Sequence, residues 1–272
     1  MHCRAFSYKE RMAGQIELLG GLPALYLRDK NALCIADLHL GYEEALAERS
    51  GITLPSRQLR DVEHALEVAV SRCSAHPSTL IINGDLKHVF SASSVQEWHE
   101  VPMFIQFALE LVDEIILVRG NHDTFLGPLK RFGSAIHIVN TFRTGDVLFM
   151  HGHTQAYARI VREEGKEVRT IVIAHEHPLL VLGDRVGARV RMPCFLKGRL
   201  KCSDAALIVM PAFSPLAGGT PVNVASRADF LSPLLKSPEV EVDEMAVYAV
   251  DEEIGILEFP ALKKWKAVSL CL

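Results

Sequence analysis

All twelve histidines lie at or before His177, and those set beside aspartates or an asparagine fall into short groups. The groups are Asp37-Leu38-His39, Gly84-Asp85, Gly120-Asn121-His122-Asp123, His151-Gly152-His153 and His175-Glu176-His177. Carboxylate, imidazole and amide oxygen together make the mixed shell that Mn²⁺, Fe²⁺ and Zn²⁺ accept. A carboxylate carries two oxygens, so one aspartate can serve a pair of such ions. In Asp37-Leu38-His39 a period of two directs both ligands to one face, provided that the strand continues. His175 and His177 share that period, and Glu176 is expected to point away into a structural role. Singly, each group reads as a turn or a surface histidine. Together, each close behind an apolar stretch, they read as a metal centre. His2, His64, His76, His99 and His137 have no such neighbours and are assigned to ordinary surface or core positions.

The elements that must position these groups are short apolar runs rich in Val and Ile, at residues 22–27, 32–36, 79–82, 114–118, 147–150 and 170–174. Between them, Val62, Leu66, Ala69 and Val70 recur at helical spacing behind Pro55-Ser56. A second helix is predicted from about Ser94 to Val112, kinked or divided at Pro102. Strands alternating with helices predict a largely parallel sheet covered by helices, with the site at the carboxyl ends of its strands. After His177 the texture changes to closely spaced strands, at 179–182, 188–192, 206–210, 245–250 and 254–259, read as a second sheet packed on the first. The expected architecture is α/β, in one domain spanning 1–272.

A formal net charge of −4 and a pI of about 6.3 argue against a strongly basic surface for gripping long nucleic acid, though not against a local basic cleft. The six cysteines form no CxxC pair and suit a reducing cytoplasm. The first residues lack a continuous apolar core of a secretory signal, and no stretch is long and apolar enough to cross a bilayer. A cytoplasmic protein with no membrane partner is expected. Residues 185–201 carry Arg185, Arg189, Arg191, Lys197, Arg199 and Lys201 with no acidic residue, which suits either a solvated hairpin or a positive rim that steers phosphorylated substrates.

The segments IADLHLGYEE, NGDLKH, RGNHD, MHGH and AHEHP resemble the calcineurin-like metallophosphoesterase superfamily over roughly residues 32–178. Within it they are most similar to the SbcD-related phosphoesterases of prokaryotes, as is PAFSPLAGGTPVN from Pro211 onward. The resemblance implies an αββα two-sheet sandwich. It also implies two divalent metal ions, manganese by preference, or iron or zinc. Asp37, His39, Asp85 and His177 would hold one ion; Asp85, Asn121, His151 and His175 the other, with Asp85 bridging. His122 would be the general acid and Asp123 would orient its ring. His88, Arg119 and His153 are candidate substrate contacts. Ala174 departs from the glycine usual before the final His-x-His, without removing a ligand. The implied activity is phosphodiester hydrolysis on a nucleotide or short nucleic acid. The alternatives are a small-molecule phosphomonoesterase and a non-catalytic scaffold. A scaffold would show eroded ligands, whereas here every ligand position is intact.

Overall fold

The computed structural model describes residues 16–52, 54–90, 94–164, 167–183, 189–201, 203 and 205–266. Six strands form the first sheet, in chain order: β1 (Ile16–Leu18), β2 (Leu25–Leu27), β3 (Ala32–Ile35), β4 (Thr79–Ile82), β5 (Glu114–Val118) and β6 (Ile136–Val139). β1 to β3 are antiparallel, and β3 to β6 run parallel. Helices α1 (Tyr42–Ser50), α2 (Gln58–Arg72) and α3 (Val95–Leu111) lie in its crossovers.

The second sheet holds β7 (Phe142–Thr144), β8 (Val147–Phe149), β9 (Thr170–Ile173), β10 (Leu179–Gly183), β11 (Arg189–Arg199), β12 (Ala206–Val209), β13 (Ala246–Asp251) and β14 (Gly255–Phe259). Its order is β14-β13-β11-β12-β9-β8-β7, with β10 paired to β11. Helix α4 (Tyr157–Glu164) connects β8 to β9, which run parallel.

Strand alternation sorts the apolar side chains into layers. Leu80, Ile82, Ile115 and Leu117 face α2 and α3, meeting Val62, Leu66, Phe104 and Ile105. Their neighbours Ile81, Ile116 and Val118 face the other sheet and pack on Phe149, Val172, Phe195 and Ile208. Ile171, Ile173, Leu207 and Val209 face outward under Val161 of α4 and Leu234, Leu235 and Val240. The result is the two-sheet sandwich expected from the sequence. Among the described residues no helix is long and apolar enough to cross a membrane.

Two expectations change. The sheets divide after β6, not after His177, so 147–150 and 170–174 belong to the second sheet. Strands buried on both faces read as the same unbroken apolar runs in either sheet, and periodicity cannot assign them. Pro102 lies inside α3 without dividing it. Val101, Pro102, Phe104, Ile105 and Ala108 are buried on that helix, and this packing outweighs the single missing hydrogen bond. Of the basic stretch, Arg189 and Arg191 are exposed on the β10–β11 hairpin and Lys201 pairs with Glu241, while Arg185 lies outside the described residues.

Candidate metal centre

The five groups occupy the loops that follow β3, β4, β5, β8 and β9, so both sheets contribute. Their convergence is not simple strand alternation. β3 ends at Ile35, and Asp37 and His39 adopt left-handed φ values of 55° and 47°. Asp85, His175 and His177 do the same at 51°, 68° and 47°. The loop after β3 stays bonded to that after β4, with Asp37 N donating to Gly84 O and His39 N to Asp85 O. Leu38 remains in the core between them. Each left-handed non-glycine residue costs roughly 1–3 kcal/mol, and such strain gathers where a site requires it.

Two glycines let the loops close up. A Cβ at Gly84 would overlap the His151 ring, and one at Gly120 would overlap the Asp85 carboxylate. Ala174 needs no such freedom: its φ is not positive, its methyl is buried between the sheets, and its N–H bonds His151 O.

Beside an all-imidazole group of His39, His88 and His122, two carboxylate-bearing donor sets result. Asp37, His39, Asp85 and His177 form one, and Asp85, His151 and His175 the other, with the candidate ligand atoms of each within 4.8 Å of one another. Asp85 belongs to both. Its Oδ2 lies 3.2 Å from His151 Nε2 and 3.7 Å from His39 Nε2, and Asp37 Oδ1 lies 3.3 Å from His177 Nε2. His151 Nδ1 donates to Asn83 O at 2.9 Å and His177 Nδ1 to Gly218 O at 2.8 Å. A carbonyl can only accept, so both rings carry their proton on Nδ1 and leave Nε2 to bind an ion when neutral.

The donor set fits divalent cations. Asn121 Oδ1 is buried with no hydrogen-bond partner, while buried Asp37 Oδ1 and His151 Nε2 face only groups of the same cluster, His177 Nε2 at 3.3 Å and Asp85 Oδ2 at 3.2 Å. A buried oxygen left unpartnered is costly unless something outside the chain satisfies it. Oxygen and imidazole nitrogen, without thiolate, suit manganese, iron or zinc.

Burial pushes His39 down to about 3 and His175 down to about 4, so both are neutral near pH 7. Burial also pulls His151 down, but Asp85 and then Asp37 outweigh it and raise the imidazole to about 9. Burial opposes ionisation of Asp37 and Asp85, yet His177 beside the first and His151 beside the second hold both carboxyls below the usual range.

His122 stands at the edge of this centre, its Nε2 4.0 Å from Asp85 Oδ2. Its ring is not oriented by Asp123, contrary to expectation. Asp123 is buried and accepts from Leu86 N at 2.9 Å and Gly120 N at 2.8 Å, clamping the β4 and β5 loops together. The His122 Nδ1 donates instead to the backbone oxygen of His88. With two backbone N–H groups on its oxygens, the Asp123 carboxylate is committed to the loop backbone. Burial and the nearby Asp85 charge raise Asp123 to about 6.

His88 stacks on His122 with 5.6 Å between centroids, and His153 lies 5.3 Å from His151. Arg119 is exposed, and no side-chain partner holds it among the described residues. Three further residues hold the loops. Gln58 is buried and donates to the backbone oxygens of Leu38 and His39. Glu97, paired with buried Lys87, accepts from the N–H groups of His88 and Val89 and so fixes the carbonyl that holds His122. Glu176 points away from the centre and binds Thr220 Oγ1 and the Leu231 and Ser232 N–H groups. The Ser94-x-x-Glu97 capping box was the available sequence signal for Glu97.

With this fold and donor set in view, the match of residues 31–199 to the calcineurin-like phosphoesterase model shows that the chain belongs to that family. Among solved structures it is similar to the nuclease MPE of Pseudomonas putida, at 20% identity and a TM-score of 0.58, over 92% of this chain and 98% of that one. An archaeal phosphodiesterase is similar at 15% identity and a TM-score of 0.37, over 66% of this chain and 83% of that one. At 20% identity the likeness to the nuclease concerns the fold alone. Comparison with curated proteins gives no match.

Proposed function

We propose that this chain hydrolyses phosphodiesters of nucleotide or nucleic-acid type, using two divalent cations, with manganese the expected metal. The observation that carries the reading is the pair of donor sets sharing Asp85, with Asn121 presenting a buried, unbonded ligand oxygen. Asp37, His39, Asp85 and His177 are assigned to one cation; Asp85, Asn121, His151 and His175 to the other. Bound cations supply an activated water and neutralise charge on the phosphoryl group. The Asp85 carboxylate is held for this by the His122 N–H, which bonds Oδ1 at 2.9 Å and leaves Oδ2 facing the imidazoles. His122 is the general acid: with Nδ1 fixed on His88 O, a proton on Nε2 is aimed at the leaving oxygen. His88 and His153 line the approach. Both sheets supply ligands, so the activity belongs to one unit built from the two layers. The shared motifs favour an SbcD-like hydrolase.

Diesters are expected to react faster than matched monoesters. A monoester is a dianion near neutral pH and requires positive side chains beyond the cations. Lys87 is buried against Glu97 and does not supply one, which leaves among the described residues exposed Arg119 and exposed Arg49 near His88. A second, uncompensated charge costs about 1–4 kcal/mol at 4 Å, or roughly fivefold to several-hundredfold in rate. The test is kcat/KM for bis-nitrophenyl phosphate against nitrophenyl phosphate, corrected for intrinsic reactivity and repeated with a nucleoside cyclic diester and its monoester product. Monoester preference in both pairs would favour a phosphatase instead.

Cation binding is expected to release protons. His151 is protonated below about 9 while the centre is metal-free, and its Nε2 must be deprotonated to become a ligand. His177 is also raised, because Asp37 outweighs the opposing effect of burial. Affinity should therefore rise with pH through the neutral range, by about tenfold per unit for each proton displaced. Calorimetric titration at pH 7 in buffers of different ionisation enthalpy should show at least one proton released per chain. Zero release would contradict the assignment of His151.

A further inference from the structure

The exposed Phe, Tyr and Trp side chains among the described residues are Phe90, Trp98 and Phe125, at 57%, 56% and 63% exposure. Phe90 flanks the proposed acid, Phe125 lies three residues after His122 on the same loop, and Trp98 shares a cleft with Phe125. The Phe90 ring stands edge-on to His122, with 6.0 Å between centroids. Thr124 Oγ1 donates to Phe90 O at 2.6 Å, tying that segment to the loop that carries His122 and Phe125. Trp98 and Phe125 line one shallow cleft with Lys87, Glu97 and Leu126. Trp98 is also adjacent in sequence to Glu97, whose carboxylate holds the His88 and Val89 N–H groups. The rings therefore ride on segments bonded to one another and to the catalytic loop.

Phe125 carries a second signal. Its φ is 54°, a region that bulky side chains rarely adopt, and its ring is in solvent, so no core packing offsets the strain. Strain of this kind gathers at ligand sites. Proton donation from His122 places the leaving group on the His122 side of the phosphorus, which is the side of Phe90. A nucleobase offers a flat π-face to such rings whatever its sequence.

We propose that Phe90, Trp98 and Phe125 form a stacking subsite for an unpaired nucleobase on the leaving-group side of the scissile phosphodiester. The subsite rests on the diesterase reading above. It can be tested with two short diesters that differ only in whether the leaving sugar carries a base or is abasic. With manganese-loaded wild type, kcat/KM is expected to favour the base-bearing diester by about tenfold or more. In Phe125→Ala, and in the double variant Phe90→Ala/Trp98→Ala, that ratio should fall towards one. Taking the ratio within each variant cancels any general loss of activity, and Phe125→Tyr should keep it. Dissociation constants for slowly cleaved phosphorothioate versions of the two diesters give a readout independent of turnover. Cleavage of both diesters at equal kcat/KM by wild type overturns the subsite and leaves the diesterase reading intact. No cleavage, with tighter binding of the base-bearing compound, overturns the diesterase reading and keeps the subsite. Equal binding in that case overturns both.

Discussion

Asp85→Asn is expected to strip the centre of its cations and to lower kcat/KM for a diester by about 10⁴-fold or more, beyond the loss of any one acid–base group. Asp85 is the residue common to both donor sets, with Oδ2 towards His151 and His39. Asparagine turns one oxygen into an NH₂ donor, which can bond His151 Nε2 and so close off a second ligand atom. The remaining amide oxygen can still accept from the His122 N–H that now bonds Oδ1, so the loop should keep its shape. Metal content after dialysis should fall towards zero while the thermal transition of the metal-free variant stays cooperative. Two tightly held ions in Asp85→Asn would remove Asp85 from the shared position.

His122→Ala should separate chemistry from binding. The His122 ring lies at the rim, 4.0 Å from Asp85 Oδ2, and belongs to neither carboxylate-bearing donor set. Metal content should therefore be retained while kcat falls by roughly 10²–10⁴-fold. The defect should shrink for nitrophenolate, a leaving group that needs little protonation, and stay large for an alkoxide. Equal defects with both leaving groups would make His122 a positioning residue only. A parallel test follows from Asp123. Because its carboxylate bonds Leu86 N and Gly120 N, Asp123→Asn should act through loop stability and show no comparable dependence on the leaving group.

Much of the centre was legible because ligand types are few and each group follows an apolar strand. Asp37, His39, Asp85, His151, His175 and His177 converge as the motif order implied. The means of convergence was not legible. Nothing in Asp37-Leu38-His39 announces two left-handed residues, since only the close pairing of the β3 and β4 loops imposes them. The resemblance also misled at Asp123, which sits beside His122 in the chain yet accepts from Leu86 N and Gly120 N. The true partner, the His88 carbonyl, is a backbone group and leaves no mark on residue type. Sheet membership was hidden for a related reason. β8 and β9 carry the same apolar texture as β4 and β5, and only long-range pairing assigns them to the second layer.

The shared-carboxylate, two-cation centre is tested most directly by titrating metal-free protein with Mn²⁺ while following bound metal and diester hydrolysis together. Activity should be absent without metal, rise with added Mn²⁺, and saturate at two equivalents per chain, with Asp85→Asn showing neither binding nor activity. Full activity at one equivalent, or hydrolysis that survives complete removal of metal, would contradict it.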